Sequence, residues 1–402
     1  MNNYLTNYRW IIVSIGFTIL LFNVGTRYTF GLLLKPISED INVSRTNISL
    51  GFTIFMFVSA ISMPIAGYLI DKYGPKKTLT FGSIIAIIGT WLTGYISNQW
   101  QIFLSFGVIY AFGHAITSIP TISTLINQWF DKNKGIANSI TIAGNGTGQL
   151  LVTSSLSSIL PYLSWRYCYF ILSAIHAIII LPLIIFGIKS KVTTHDKKVT
   201  KTNKNKLNTT IPSLLSYPSL MLIIIYSICG FQDFFVATHI VAFATDNGIS
   251  QNIAGQILAF MGLSGIIGVI LSGILSDKFG PSKPTLLCFV IRIFIFLIPF
   301  IFKNDFSIIS FALIYGFTFM VTAPLTLIFV NNIFGNNNIG KIMGTISMVH
   351  QITGGLGALF GAIIYDYTKS YNYAFISMSL ISFFPVFSAI MLKKLTPVDI
   401  QN

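Results

Sequence analysis

The sequence predicts an all-α polytopic membrane protein, with twelve transmembrane helices in two pseudo-symmetric six-helix halves. Three observations predict it. The 402 residues are 53% hydrophobic and only 9% charged, against about 25% charged in soluble domains, so the chain lacks the charge to coat a water-facing surface. The apolar residues gather in blocks of roughly 20 or more, each long enough to cross a hydrocarbon layer of about 30 Å. The second half of the chain also repeats the first: GYLIDKYGPKK, Gly67 to Lys77, returns as GILSDKFGPSK, Gly273 to Lys283, 206 positions later.

The blocks fall at 10–34, 47–70, 78–97, 100–129, 134–160, 165–188, 214–244, 250–276, 284–302, 306–333, 340–365 and 372–392. The first has a weak basic flank and no A-x-A cleavage site, so it is expected to stay as a helix rather than leave as a signal peptide. Cys168, Cys229 and Cys288 all lie inside blocks with no metal-type spacing and read as small buried residues.

A formal net charge of +14 raises nucleic-acid binding, and its distribution argues against it. Twelve crossings put both termini on one side, and that side receives 18 of the 25 Lys and Arg, seven of them between Lys189 and Lys206. The other side receives Lys35, Arg45, Arg166, Lys303 and Lys369. This bias predicts cytoplasmic termini in a plasma membrane, the inner membrane of a bacterium. The polar, lysine-rich stretch from Lys189 to Thr210 is expected to be a cytoplasmic linker with affinity for anionic lipid, between halves at 1–188 and 211–402.

With one half slid over the other by 206, Asp40 falls on Asp246, Ser44 on Ser250 and Asp71-Lys72 on Asp277-Lys278. After a slip of one or two positions, Tyr110 meets Tyr315 and Pro120 meets Pro324. Parallel six-helix halves are one way secondary transporters are built, with the site at midplane between them. The repeated string, G-x-x-x-D-[RK]-x-G-x-[RK]-[RK], resembles the signature loop of the major facilitator superfamily. It is complete at Gly67, Asp71, Lys72, Gly74, Lys76 and Lys77, and weaker at Gly273, Asp277, Lys278, Gly280 and Lys283. The resemblance covers the whole chain. It implies the major facilitator fold, alternating access by rocking of the halves, a conformational latch at these loops and a monomer. Physically, the small Gly67 is expected to let two helices approach, the aspartate to sit against the turn and a helix N-terminus, and the lysines to anchor in headgroups.

RWIIVSIGFTILLFNVGTRYTFGLLL, THIVAFATDNGIS and GTISMVHQITGGLGALFGAIIYDYTKSYNYAF resemble the monocarboxylate and oxalate/formate branch. The departures from that branch are specific. NYRW replaces its acidic-glycine-aromatic motif, helix eight carries no charge in LAFMGLSGIIGVILSG, and the basic residue of helix eleven is missing. The fifth helix reads ANSITIAGNGTGQLLV without the Gly-Pro pair of drug antiporters.

Three ionised side chains lie within the predicted spans: Arg27, Asp233 and Arg292. An intramembrane charge costs about 2.5 to 3.5 kcal/mol on insertion scales and so tends to face the interior and do work. Because 27 plus 206 is 233, Arg27 and Asp233 occupy equivalent positions on helices one and seven. They are expected to pair across the halves in one state and part when substrate or a proton arrives; a permanent ion pair, or separate neighbours, are the alternatives. Arg292 must turn inward, toward either substrate or a structural contact. The three charges sum to plus one, which favours an anion as cargo. His114 and His239 are the histidines expected to serve coupling, while His176 and His350 read as structural, the latter within the small-residue face of Gly354, Gly357 and Gly361. Asn138, Asn145 and Gln149 form a polar stripe that lines the path or bonds between helices. Tyr28, Phe234 and Phe235 either shape a pocket or simply pack.

No HExxH or GxSxG occurs, and GPKKT lacks the earlier glycine of a phosphate loop, so an enzyme is not expected, nor a metal or cofactor. The function expected is secondary active transport of a small organic anion, a lactate- or pyruvate-like monocarboxylate, coupled to protons. The alternatives are an exporter or exchanger of a dicarboxylate, amino acid or drug, a passive facilitator, and a non-transporting sensor.

Overall fold

The computed structural model describes residues 2–130, 134–189, 216–334 and 339–395, and among them the regular structure is helical. Twelve helical stretches follow in order: α1 (Asn2–Asp40), α2 (Arg45–Tyr73), α3 (Pro75–Thr93), α4 (Gln99–Trp129), α5 (Lys134–Ile159), α6 (Trp165–Gly187), α7 (Tyr217–Asp246), α8 (Gln251–Phe279), α9 (Ser282–Ile301), α10 (Asp305–Val330), α11 (Ile339–Thr368) and α12 (Asn372–Lys393). Ten are long and apolar enough to cross a membrane on their own. The exceptions are α3, whose first turn carries Lys76 and Lys77, and α5, rich in Ser, Thr, Asn and Gln. Almost all of the expected linker at 189–210 lies outside the described residues.

The repeat reappears in the helix ends. The Ser44 hydroxyl accepts from the Asn47 N–H to cap α2, and Ser250 does the same for α8 through Ile253. Asn98 caps α4 and Asn304 caps α10. Each such cap stabilises a helix start by about 0.5–2 kcal/mol. The turns after α2 and α8 are made by Gly74 at φ +79° and Gly280 at φ +76°, a left-handed conformation that glycine adopts without a Cβ clash. These caps and turns sit 206 positions apart in each case.

Packing follows the same duplication. α1 lies along α5 as α7 lies along α11, and α2 lies on α4 as α8 on α10. The halves meet along two equivalent seams, α2–α11 and α5–α8, with α1 against α7 between them. At that centre Gly31 faces the Ala237 carbonyl, and a Cβ built on Gly31 would overlap its oxygen. Since 31 plus 206 is 237, the two helices touch where a two-fold axis requires equivalent positions to meet.

The end of the bundle away from the termini, the far end, is closed. Asp246 of α7 accepts from Arg45 Nη1 and Nη2 at 2.5 and 2.8 Å and from Lys35 Nζ at 2.8 Å, joining one half to the other. Arg45 also donates to Tyr371 at 3.0 Å, and its guanidinium lies 3.8 Å from the Tyr365 ring centroid. Along the other seam Ser154 donates to Gln256, Ser157 to the Asn252 carbonyl and Gln149 to the Leu258 carbonyl. Beneath these bonds each half holds an aromatic cluster, Phe30–Phe52–Phe55–Phe106–Tyr110 in one and Phe243–Phe296–Phe311–Tyr315–Phe375 in the other.

Gly31→Val should therefore force α1 and α7 apart. The expected cost is about 1–3 kcal/mol, the usual range for overpacking, read as a lowered unfolding temperature in detergent. Gly67→Ala, whose added Cβ would meet nothing within 4 Å, should leave that temperature unchanged.

Candidate functional site

The three intramembrane charges do not combine as their equivalence suggested. Asp233 Oδ1 pairs with Arg292 Nη2 at 2.8 Å, and both side chains are buried. In this arrangement Asp233 does not meet Arg27, and the reason is helical geometry. Neighbouring residues on a helix point about 100° apart. Residues 229, 232 and 233 of α7 face α9, α10 and α12 of their own half, while Phe234 faces the seam.

Every polar atom of the pair has company. Tyr315 donates to Asp233 Oδ1 at 2.7 Å and the Cys229 thiol to Oδ2 at 3.2 Å. Arg292 donates to Thr318 Oγ1 at 3.0 Å, the Thr318 carbonyl at 2.8 Å and Gln232 Oε1 at 3.1 Å. Gln232 in turn donates to the Met378 carbonyl and Ser382 of α12. Arg292, the inward-facing residue of α9, is a structural partner in this arrangement. A buried pair so fully bonded costs about 3–5 kcal/mol to break by removing one member.

Arg27 is left as the unbalanced charge. It sits half-buried on α1 at the seam, with its guanidinium 4.9 Å from the Tyr28 ring centroid and 5.2 Å from that of Phe234 on the opposite half. Its Nε is buried without a hydrogen-bond partner, and among the described residues no carboxylate pairs with it. Tyr28 also reaches across the seam to Phe319, 6.1 Å between centroids. Arg27 is thus a cation on an aromatic floor made by Tyr28 and Phe234.

The remaining candidates separate. His114 is buried in the first half, where its Nδ1 lies 2.5 Å from Asn23 Oδ1 and its ring packs on Phe55. His239 Nε2 lies 2.7 Å from the Ala358 carbonyl and so carries the proton, leaving Nδ1 to accept from the Tyr371 hydroxyl at 3.1 Å. Because Tyr371 accepts from Arg45, His239 belongs to the far-end closure, fully bonded as a neutral ring. His176 is buried, with a ring nitrogen 3.3 Å from Thr26 Oγ1 and its ring edge-to-face with Phe22. The polar stripe of α5 divides. Gln149 is buried in a bond across the seam, whereas Asn145 is half-buried with Oδ1 unpartnered.

At the loops, Lys72 lies over Tyr68 and Tyr73, and Lys278 and Lys283 over Phe279, so these ammonium groups rest on aromatic rings at the bundle end. Asp71 and Asp277 are exposed and make no ion pair among the described residues. The close approach expected at Gly67 and Gly273 is absent: a Cβ on either meets nothing within 4 Å. Lys76 and Lys77 continue into the first turn of α3.

Two features escaped the sequence reading. The Asp246–Arg45–Lys35 closure had a signal in the alignment of Asp246 with Asp40. Asp40 is held within its own half by Arg166 and Trp165, whereas the position equivalent to Arg166 is Asn372. The second is His350. One of its ring nitrogens lies within 4.8 Å of Cys229 Sγ and an Asp233 oxygen, the one such group of potential metal ligands found among the described residues. Arg292 already supplies the positive charge there. The Gly354–Gly357–Gly361 face does pack closely on α7, against Phe234, Phe231 and Phe235.

Asp233→Leu or Arg292→Leu alone should cost about 3–5 kcal/mol in unfolding, while the double replacement should recover at least half of that loss, as a double-mutant cycle in detergent would reveal. Asp246→Asn should lengthen the distance between spin labels on the α5–α6 and α7–α8 turns, because the far-end closure loses its shared acceptor.

The model of the Major Facilitator Superfamily matches residues 16–358 and, again, 222–401. The chain is 26% identical over 371 residues to the uncharacterised MFS-type transporter YcxA of Bacillus subtilis, covering 90% of each. It is 24% identical over 405 residues to monocarboxylate transporter 13 of Rattus norvegicus, covering 97% of this chain and 92% of that one. The oxalate:formate antiporter of Oxalobacter formigenes is 27% identical over 157 residues, 38% of this chain and 36% of that one. Among solved structures, a bacterial homologue of the human lysosomal transporter Spinster, inward-facing and unoccupied, superposes with a TM-score of 0.80 at 16% identity over 97% of both chains. The D-xylose-proton symporter gives 0.78 at 15% identity, over 97% of this chain and 98% of its own. With its twelve helices, duplicated loops and seam between two halves, this chain is an integral membrane transporter belonging to the Major Facilitator Superfamily.

Proposed function

We propose that this protein carries a small monocarboxylate, lactate- or pyruvate-like, together with a proton, by rocking its two halves about a site at the seam. The observation that carries the reading is Arg27. A guanidinium inside the bundle without a carboxylate is costly, and it is tolerable where a carboxylate cargo visits it. Bidentate, charge-assisted hydrogen bonds suit that pairing, and the Tyr28 and Phe234 rings hold the cation by about 0.5–2 kcal/mol while the site is empty. Asp233 and Arg292 cancel, so the centre as a whole is positive by one charge. The relatives named as monocarboxylate transporters and an oxalate:formate antiporter support a carboxylate. Asn145, half-buried on α5, is the neutral polar group we assign to the same path. The lysine bias supports cytoplasmic termini, with the loops at Gly67–Lys77 and Gly273–Lys283 acting as the latch on that face.

The test is uptake of labelled lactate into proteoliposomes with and without an inward proton gradient. Accumulation that needs the gradient is expected, and Arg27→Gln should reduce it at least about tenfold, the loss of one charged hydrogen-bond pair. Exclusion of lactate under both conditions would overturn the monocarboxylate reading and direct a counterflow screen to other small solutes.

A further inference from the structure

We propose that His350 of α11 is the binding site of the proton that travels with the anion, an inference that rests on the anion reading given above. The imidazole is half-buried and lies against the Tyr226 ring at 4.4 Å and edge-on to Phe234 at 5.9 Å. Phe234 is the same ring that Arg27 covers from α1, at 5.2 Å. Imidazole and guanidinium therefore flank one aromatic side chain. The α7 backbone comes this close because Gly230 has no Cβ, which would strike the His350 carbonyl and ring.

The groups facing the ring can be named from each packed element. From α7 come Tyr226, Cys229 and Asp233, from α1 Arg27, and from α9 Arg292. α2, whose Met56 and Thr53 lie under the next glycines, Gly354 and Gly355, carries no titratable side chain between Thr46 and Gly67, and the part of α10 that packs on α11, Thr322 to Val330, carries none either. Arg292 already compensates Asp233 at 2.8 Å. With Arg27 the surroundings of the imidazole hold two positive charges and one negative, a sum of plus one.

A proton taken from water onto the ring would raise that sum to plus two in a poorly polarisable setting, which like charges oppose. A carboxylate on Arg27 lowers the sum to zero, and the proton then restores it to plus one. Anion and proton each favour the binding of the other, by the same factor in both directions. The loaded and empty sites also carry equal charge, so both reorient at the same electrostatic cost. That is the requirement for one-to-one electroneutral symport. Asp233 is the poorer receptor, since it is buried and a proton there would have to displace the contacts of Arg292, Tyr315 and Cys229.

The experiment is nitrogen NMR of the full chain, labelled at histidine, in liposomes at about pH 6, near the ordinary imidazole range. The His350 signal is identified by its loss in His350→Gln. Arg27→Gln should raise the imidazolium fraction of that signal at least about threefold, and lactate at saturating concentration should do the same in the unaltered protein. Arg27→Lys, which keeps the charge, should leave it unchanged. No rise in Arg27→Gln, or an equal rise in Arg27→Lys, would overturn the proposal whatever lactate does. A rise in Arg27→Gln without a response to lactate keeps the proton site and removes the monocarboxylate reading.

Discussion

A charge inside a hydrocarbon layer has to be matched, and the centre of this protein follows from how three of them are matched. Asp233 and Arg292 satisfy one another within the second half, together with Tyr315, Thr318, Gln232 and Cys229. Pairing so complete makes α7, α9, α10 and α12 one cross-braced unit. It also removes the single carboxylate that could have answered Arg27. The odd cation lies on the surface where the halves meet, and the aromatic rings around it hold it in place without neutralising it. On the function proposed above, that unmatched charge held by neutral neighbours is what an anionic cargo would meet.

The duplication explains the scaffold, and the breaks in the duplication explain what the scaffold does. Caps at Ser44 and Ser250 or at Asn98 and Asn304, and turns at Gly74 and Gly280, are shared because both halves need the same helix ends. Asp40 and Asp246 are shared in sequence and divergent in use. Arg166 keeps Asp40 inside the first half, and Asn372 has no charge with which to keep Asp246 inside the second. Asp246 therefore turns to Arg45 and Lys35 across the gap. One substitution in one repeat converts an internal brace into a clasp between the halves.

The architecture was legible in the sequence because it is written in features of long range: blocks of apolar residues, a lysine bias and a string used twice. Membership of the superfamily could be read from the string Gly67 to Lys77 and its second copy, Gly273 to Lys283, set at matching positions among twelve apolar blocks. The site was only partly legible. Arg27, Asp233 and Arg292 stand out in the sequence, since an intramembrane charge announces itself. Their partners do not, because which of two adjacent residues on α7 faces the seam depends on a rotation of about 100° per residue that twenty mostly apolar neighbours leave undetermined. His350 was read as packing on account of its glycines. Those glycines do pack, and by doing so they press the imidazole toward Asp233.

The contact of Gly31 with Ala237 has a mechanical consequence. Two helices that touch backbone to backbone at equivalent positions form a fulcrum, and distance from it sets how far any residue travels. At 1.5 Å per residue, Arg27 lies about 6 Å from that point and Tyr8 about 35 Å. A rotation of about 10°, of the order seen in rigid-body switching, would move the first by roughly 1 Å and the second by roughly 6 Å. Under the rocking proposed above, the lever ends would sweep open and shut while the cation on its aromatic floor hardly stirs, so access to a cargo there would change and its coordination would not.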